Sequence, residues 1–163
     1  MQYKPFGNTG IMMSRLGFGS MRLPMTDDGK HVDYELALQI IHRAFELGVN
    51  YIDTAYGYCN GTSEIAVGKA LKGWRDKVYV STKCPMWQVS EKSDYRRILE
   101  DQLKKLDVDY IDFYHFHSLN RETYRERVLG LGMFEEAAKA KEEGLIKYCS
   151  FSFHDRPEVM KEI

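Results

Sequence analysis

Apolar positions recur along the chain at spacings that change between those of a helix and those of a strand. The first helical stripe consists of Ala37, Ile40, Ile41, Ala44 and Phe45. It is preceded by Asp33, which has the side chain of an N-cap, and followed by Gly48, which commonly stops a helix. The pattern therefore predicts a helix between Asp33 and Gly48.

Four further helical and five strand-like segments follow the same logic. The predicted strands are RLGFGS, VNYIDTA, KVYVSTK, VDYIDFYHFH and IKYCSFSF. The other predicted helices are SEIAVGKAL capped by Ser63, DYRRILEDQLKKL preceded by Ser93, MFEEAAKAKEEG ending at Gly144, and PEVMKEI with Pro157 in its first turn. Strands and helices alternate with a period of roughly 30 residues, which favours a parallel sheet covered by helices.

Two architectures share this alternation. A doubly wound sheet that binds a dinucleotide favours three glycines after its first strand, whereas GFGSMR contains only the first two. The alternative is a (β/α)8 barrel, in which the functional groups lie at the carboxyl ends of successive strands.

Polar side chains stand at the carboxyl ends of four consecutive predicted strands. These positions are Asp53, Lys83, His117 and the segment from Ser152 to His154. Taken one at a time, they fit a turn carboxylate, a surface lysine and a histidine at the edge of the core. Their recurrence at the same end of each strand instead favours a site at one face of a barrel.

Composition narrows the class of protein. The chain has 163 residues, of which 44% are hydrophobic and 29% charged, as expected for one globular domain over residues 1–163. A net charge of −1 gives no bulk electrostatic reason to expect nucleic acid or an anionic membrane. The three cysteines are too dispersed for a disulfide framework, and no signal peptide or apolar spanning run is found, so we expect a cytoplasmic protein.

Four stretches together resemble the aldo-keto reductase family, in order and across essentially the whole chain. They are FGNTGIMMSRLGFGSMRL, YIDTAYGYCNGTSE, VYVSTK and YIDFYHFH. The resemblance implies a (β/α)8 TIM barrel of which the N-terminal hairpin and strands 1–5 are present, so that residues 1–163 form the N-terminal part of an incomplete barrel. It also implies an NADPH-dependent reductase of aldehydes and ketones.

The resemblance assigns the family's catalytic tetrad to Asp53, Tyr58, Lys83 and His117. Hydride delivered to a carbonyl carbon leaves negative charge on oxygen, so a proton donor must stand nearby, and Tyr58 is the candidate. The Lys83 ammonium would stabilise the phenolate that proton donation leaves, and Asp53 would hold Lys83 in place. His117 would hydrogen-bond the substrate oxygen. For Tyr56, the second phenol of this loop, a packing or pocket-lining role is expected.

The cofactor contacts implied by the resemblance lie after the first strand and at the end of the fifth. They are Gly19, Ser20, Met21, Arg22, Asp53 and Ser152. The missing side chain at Gly19 would permit close approach of the cofactor, although a tight turn would explain this glycine equally. Phe153 stands where many relatives have asparagine, and the family's phosphate-binding segments have no counterpart in this sequence.

Two other functions remain open at this stage. His115 and His117 form an H-x-H pair on one strand, so a metal-dependent barrel hydrolase with His154 as a further ligand is conceivable. A reductase-like subunit that binds nucleotide or a partner without turnover is the second alternative. The chain is also similar to a microbial subgroup whose longer members carry a C-terminal iron-sulfur segment, but three dispersed cysteines predict no cluster here.

Chain length leads to a last expectation. A (β/α)8 barrel typically needs about 250 residues, whereas this chain has 163. An open arc of five strands would expose a strand edge and apolar interior residues, which promotes association. We therefore expect a truncated barrel with weak or no activity by itself and a tendency to self-associate through the open edge.

Overall fold

The computed structural model describes residues 1–163. The strands are β1 Tyr3–Pro5, β2 Met12–Ser14, β3 Phe18–Gly19, β4 Tyr51–Asp53, β5 Tyr79–Cys84, β6 Ile111–Leu119 and β7 Ile146–Phe153. The helices are α1 Tyr34–Glu46, α2 Ser63–Leu71, α3 Lys92–Leu106, α4 Arg121–Thr123, α5 Met133–Glu142 and α6 Pro157–Met160. No helix is both long enough and apolar enough to cross a membrane.

The chain divides into two compact units, the first of which contains residues 1–81 and 105–107. In this unit β1 and β2 form an antiparallel hairpin. Strands β3, β4 and β5 pair in parallel and in chain order, with Gly19 opposite Asp53 and Asp53 opposite Ser81. Parallel pairing brings the carboxyl ends of β3 and β4 to the same edge, which is where the sequence predicts functional groups.

The second unit contains residues 82–104 and 108–163. Strands β6 and β7 pair in parallel from Ile111 opposite Ile146 to Phe116 opposite Phe151. The register then shifts, so that Leu119 lies opposite Phe153. His117 and Ser118 therefore face the single residue Ser152, which is the signature of a β-bulge.

Helix α1 forms where the apolar stripe predicts it. The Asp33 side chain accepts a hydrogen bond from the Leu36 N–H at 3.1 Å and so caps the helix. Ala37, Ile41 and Phe45 are buried on the inner face. Gly48 follows the helix with a φ of 93°, a left-handed conformation that glycine adopts without strain.

One predicted cap is wrong, and one helix begins earlier than predicted. Ser63 lies inside the first turn of α2, where its hydroxyl is bonded to Thr54 and Ser20 instead of capping the helix. Ser93 lies inside α3, and its hydroxyl donates to the Glu91 carboxylate. The Asp94 carboxylate closes the start of α3 by accepting from the N–H groups of Ser90 and Glu91.

One segment has no counterpart in the predictions. Between β6 and α5 the chain forms the short helix α4 and then a wide helical turn over Tyr124–Leu129. Asn120 caps α4 by accepting from the Thr123 N–H at 2.8 Å. Tyr124 and Val128 are buried, so this segment adds to the core of the second unit.

Candidate active site

Asp53 ends β4 with both its side chain and its main chain fixed by neighbouring strands. The Ser81 hydroxyl donates to Asp53 Oδ1 at 2.7 Å. The Asp53 carbonyl oxygen accepts from the Ser20 N–H at 2.9 Å and from the Ser20 hydroxyl at 2.7 Å. A carboxylate held in this way keeps one orientation at the edge of the sheet.

Ser20 belongs to a buried hydroxyl network within the first unit. Its Oγ lies 2.9 Å from the Ser63 hydroxyl, which in turn lies 2.9 Å from the Thr54 hydroxyl. The side chain of Ser20 is fully buried, whereas Gly19, Met21 and Arg22 are exposed. The Ser20 side chain is thus used for internal structure, and the other three residues of the segment Gly19–Arg22 are exposed.

The loop that carries Tyr58 follows β4 and is held in an uncommon conformation. It forms a tight turn over Tyr58–Gly61, in which Cys59 and Asn60 have φ values of 50° and 56°. Such left-handed residues cost free energy unless the surroundings fix them. Asn60 Nδ2 donates to the Gly29 carbonyl at 2.9 Å, which ties the turn to the segment before α1. Tyr58 is half-buried on this turn, five residues after Asp53.

Tyr56, the second phenol of the loop, has a packing role. The Lys105 Nζ lies 3.9 Å from the centroid of the Tyr56 ring, which is a close cation–π contact. The same ammonium lies 4.0 Å from the carboxylate of Glu64, which is fully buried in α2. The Tyr56 ring is therefore part of an ion-pair cluster, in agreement with the packing role expected from the sequence.

Lys83 lies near the end of β5, and only 7% of its surface is exposed. A buried ammonium is costly unless partners compensate for lost hydration. The neighbouring Cys84 thiol is fully buried, and burial raises its pKa to about 12. The end of β5 is therefore a buried environment, in which a charged side chain needs partners that compensate for its lost hydration.

His117 lies in the β-bulge of the second unit. Ser118, beside it, has a φ of 59°, and its N–H donates to the Ser152 hydroxyl at 2.7 Å. The Trp87 ring lies 5.0 Å from the His117 ring at an interplanar angle of 52°. Because bulges redirect side chains at the ends of strands, the bulge and the Trp87 ring together set the orientation of His117. The hydroxyl of Ser152, predicted to contact the cofactor, also holds this bulge.

The histidine pair does not form the centre of a metal site. His115 Nδ1 and the Ser150 hydroxyl lie 2.5 Å apart, so His115 is hydrogen-bonded to the neighbouring strand. No group of three or more His, Cys, Asp or Glu side chains is placed to hold a metal ion. His154 is exposed at the start of the following turn. The hydrogen-bonded interior reading of His115 is therefore the one that the structure favours.

The surroundings of Gly19 fit the approach of a cofactor. A Cβ atom added at Gly19 meets no heavy atom within 4 Å, and this glycine has no positive φ. Neither packing nor turn conformation therefore requires glycine here. The main chain at the carboxyl end of β3 is therefore open to close approach at Gly19.

Two positioning features escaped the sequence analysis. The bulge at His117 has no signal in VDYIDFYHFH, because its register depends on the pairing with β7. Gln102 is fully buried against the end of β5, although it lies in a segment read only for its apolar stripe. The available signal was its position, since Gln102 lies seven residues after Tyr95 and three after Leu99 on the buried face of α3.

Comparisons with known proteins agree on one family. The family model described as "Aldo/keto reductase family" matches residues 15–163. "Uncharacterized oxidoreductase YqkF" of Bacillus subtilis is 33% identical over an alignment of 172 positions, which covers 99% of this chain and 52% of that protein. "Probable aldo-keto reductase 1" of Glycine max is 34% identical over 155 residues, which cover 90% of this chain and 43% of that protein.

Solved structures give the same result. The holo form of aldo-keto reductase AKR11C1 from Bacillus halodurans has a TM-score of 0.80 and 33% identity, covering 99% of this chain and 53% of that chain. An aldo-keto reductase from Klebsiella pneumoniae in complex with NADPH has a TM-score of 0.73 and 28% identity, covering 92% of this chain and 49% of that chain. The chain thus spans about half the length of the relatives that it matches.

Proposed function

Because the chain belongs to the aldo/keto reductase family, we propose that it contributes to an NADPH-dependent reduction of aldehydes or ketones, with Tyr58 as the proton donor. The observation that carries the proposal is the pinned turn after β4, which presents a phenol five residues after a fixed carboxylate. A turn needed only to join β4 to α2 would not require two residues in the left-handed region.

Family membership also confirms the predicted fold class. An N-terminal hairpin and five strands in parallel pairs correspond to the first part of the (β/α)8 TIM barrel of aldo-keto reductase type. In this fold the carboxyl ends of the strands carry the functional groups. Asp53, Lys83, His117 and Ser152 all lie at or near such strand ends.

In the proposed reaction each member of the tetrad has one task. Tyr58 transfers its phenolic proton to the carbonyl oxygen as negative charge develops there. The Lys83 ammonium stabilises the phenolate left behind, and Asp53 keeps that ammonium charged and oriented. His117 donates a hydrogen bond to the same oxygen and so orients the carbonyl.

The cofactor is proposed to be NADPH, since a Klebsiella pneumoniae relative is described in complex with it. The exposed residues Gly19, Met21 and Arg22 after β3, and Ser152 on β7, would hold it. When bound, it would supply the hydride for the carbonyl carbon. The open space at Gly19 allows a planar ring to approach the main chain.

The proposed place of action is the cytoplasm. Cys59, Cys84 and Cys149 are all free thiols. Free thiols persist where glutathione and thioredoxin maintain a reducing environment. Cell fractionation with an antibody against the protein would test the location, and recovery in an extracytoplasmic fraction would contradict it.

A cofactor titration with a carbonyl screen tests the proposed function. The screen compares the 163-residue chain with the same chain followed by the second half of the Bacillus subtilis relative YqkF, which this chain matches over 52% of its length. We expect Tyr58-dependent oxidation of NADPH in the longer protein and a weaker rate in the shorter one. A folded longer protein that binds NADPH and reduces no aldehyde or ketone would contradict the proposal.

A further inference from the structure

We propose that Gln102 is a positioning residue for Lys83, an inference that rests on the proposed function of Lys83. The feature that carries it is a buried amide on α3 that bonds directly to the main chain of the lysine. Gln102 is fully buried, and Thr82, Lys83 and Tyr114 around it are also buried.

The amide bonds to two different strands. Gln102 Nε2 donates to the Thr82 hydroxyl at 3.0 Å and to the Lys83 carbonyl oxygen at 3.1 Å. On its other side, Gln102 Oε1 accepts from the Tyr114 hydroxyl at 2.7 Å. Both N–H donors and the oxygen of one side chain are thus used, which fixes the amide plane. The two donated bonds fasten the last residues of β5 to α3.

An apolar residue at this position would suffice for helix packing. Position 102 lies on the same buried face as Tyr95, Leu99 and Leu106, all of which pack through apolar or aromatic surface. A buried amide is tolerated only when its hydrogen bonds are satisfied, and it then imposes direction and distance on its partners. At residue 102 these hydrogen bonds fix the direction and distance of the main chain that carries the Lys83 side chain.

The consequence for Lys83 is a restricted starting point for a long side chain. Lysine has four rotatable side-chain bonds, so the position of its ammonium depends strongly on where its backbone is held. With the Lys83 carbonyl fixed, the ammonium samples fewer positions, and the geometry needed for phenolate stabilisation is reached more often.

Tyr114 provides a matched control. Tyr114→Phe removes the hydrogen bond that Gln102 Oε1 accepts, and the one between Tyr114 and the Cys84 thiol, but leaves both bonds from Gln102 to β5 in place. Gln102→Met removes the bonds to β5, and the double variant Gln102→Met/Tyr114→Phe does so without burying a Tyr114 hydroxyl that has lost its Gln102 acceptor. The double variant therefore carries the test if Gln102→Met alone does not fold.

The first readout is independent of activity. Lysines are labelled with ¹³C at Cε, and the Lys83 signal is assigned by its loss in Lys83→Arg. We expect Tyr114→Phe to leave the Lys83 signal in place, and Gln102→Met or the double variant to move it towards the signals of exposed lysines. Equal shifts in Tyr114→Phe and the double variant, or no shift in either, would overturn the inference.

The second readout separates this inference from the proposed function. In the fusion with the second half of YqkF, Gln102→Met should lower kcat for carbonyl reduction by about 10- to 100-fold, with the KM for the carbonyl substrate nearly unchanged. Tyr114→Phe should stay close to wild type. Equal losses of kcat in Gln102→Met and Tyr114→Phe would show that Gln102 acts only as a core residue. Such a result would not contradict the proposed reductase function. Full turnover in Lys83→Met would instead contradict the role of Lys83, and the NMR comparison would still decide whether Gln102 fixes it.

Discussion

The two phenols of the loop after β4 differ in their surroundings. The Tyr56 ring lies under the Lys105 ammonium, which also approaches the buried Glu64 carboxylate. Tyr58 lies on a turn that is pinned through Asn60 to the segment before α1. A donor must face the substrate, whereas the Tyr56 ring is covered by a cation, so these surroundings favour Tyr58 as the proposed proton donor.

Tyr58→Phe should lower kcat for carbonyl reduction by about 10²- to 10⁴-fold, the range typical of a lost general acid. NADPH affinity should change little, because the phenol acts on the carbonyl oxygen. Steady-state kinetics and a fluorescence titration with NADPH measure the two quantities. Tyr56→Phe is the matched control and should keep most of its turnover. Wild-type rates in Tyr58→Phe would shift the donor role to another residue.

Asp94 makes stability depend on pH. The Arg97 guanidinium, followed by the N–H and hydroxyl of Ser90, holds the pKa of the Asp94 carboxyl well below its ordinary value of 3.8. A carboxyl with a lowered pKa in the folded state stabilises the fold fully above its unfolded-state pKa, and this contribution is lost as the pH falls through the folded-state value. The stabilisation is therefore complete above about pH 4.

Urea unfolding at several pH values between 6 and 3 would measure this effect. In the wild type the free energy of unfolding should fall as the pH drops below about 4. Asp94→Asn should be less stable near neutral pH and should show a shallower fall. Asp109→Asn, at an exposed carboxylate outside the helices, is the control. An unchanged slope in Asp94→Asn would show that other carboxyl groups cause the acid sensitivity.

At the scale of elements, Gly68 allows α2 to approach the end of α3. A Cβ atom added at Gly68 would lie 2.5 Å from the Leu106 carbonyl oxygen and 2.9 Å from the Leu106 Cα. These are backbone atoms, so they can yield only if the helix moves. Alanine ordinarily gains about 1 kcal/mol over glycine inside a helix, but here overpacking should outweigh that gain.

Gly68→Ala should therefore lower the free energy of unfolding by about 1 to 3 kcal/mol, the usual cost of overpacking. Chemical denaturation measures this change. Gly57→Ala is the control, since Gly57 has a φ of −98° and a Cβ there meets nothing within 4 Å. A stabilised Gly68→Ala variant would mean that the two helices separate at little cost.

Sequence patterns predicted the elements well and the local contacts poorly. Helix α1 and strand β7 lie where the apolar stripe from Ala37 to Phe45 and the segment Ile146–Phe153 predicted them. Burial of one face produces a periodic pattern of apolar residues that can be recognised in the sequence. Ser63 was misread because its hydroxyl bonds to Ser20, 43 residues away in sequence. The bulge at His117 and the amide of Gln102 depend on partners in other elements, so neither has a local signal.

For the proposed tetrad, the positions of Asp53, Lys83 and His117 at or near strand ends were predictable from the sequence. The contacts that fix each of these residues could not be predicted from the sequence. The Ser81 hydroxyl holds Asp53, and Asn60 holds the turn of Tyr58. These contacts arise from pairing between strands and loops that are distant in sequence, so only the three-dimensional structure contains them.

At the scale of the whole molecule, β7 exposes apolar side chains next to one open strand edge. It pairs with β6, and no further strand of the chain pairs with it. Phe134, Phe151 and Met160 are exposed in the same unit. A largely apolar cavity of about 370 Å³ is lined by Phe116, Phe134, Cys149, Phe151 and Ile163. Unpaired edges and apolar surface of this kind promote association, so self-association of the chain is proposed.

Light scattering over a range of concentrations tests this proposal. The 163-residue chain should show a mass that rises with concentration. Phe151→Lys should shift the average mass towards the monomer, because a charge on an edge strand opposes pairing. Leu36→Lys, at an exposed position on α1, is the control and should not alter the mass. A monomer at every concentration would refute self-association through β7.

Transfer of label to the product tests the central claim most directly. NADPH carrying two deuterium atoms at C4 of the nicotinamide, so that either face delivers label, is incubated with a panel of aldehydes and ketones and with the fusion of this chain to the second half of YqkF. Mass spectrometry then locates deuterium in the alcohol. We predict deuterium at the carbinol carbon, with label transfer reduced by about 10²- to 10⁴-fold in Tyr58→Phe. Absence of label from every alcohol, or equal labelling by Tyr58→Phe, would contradict a Tyr58-dependent carbonyl reductase.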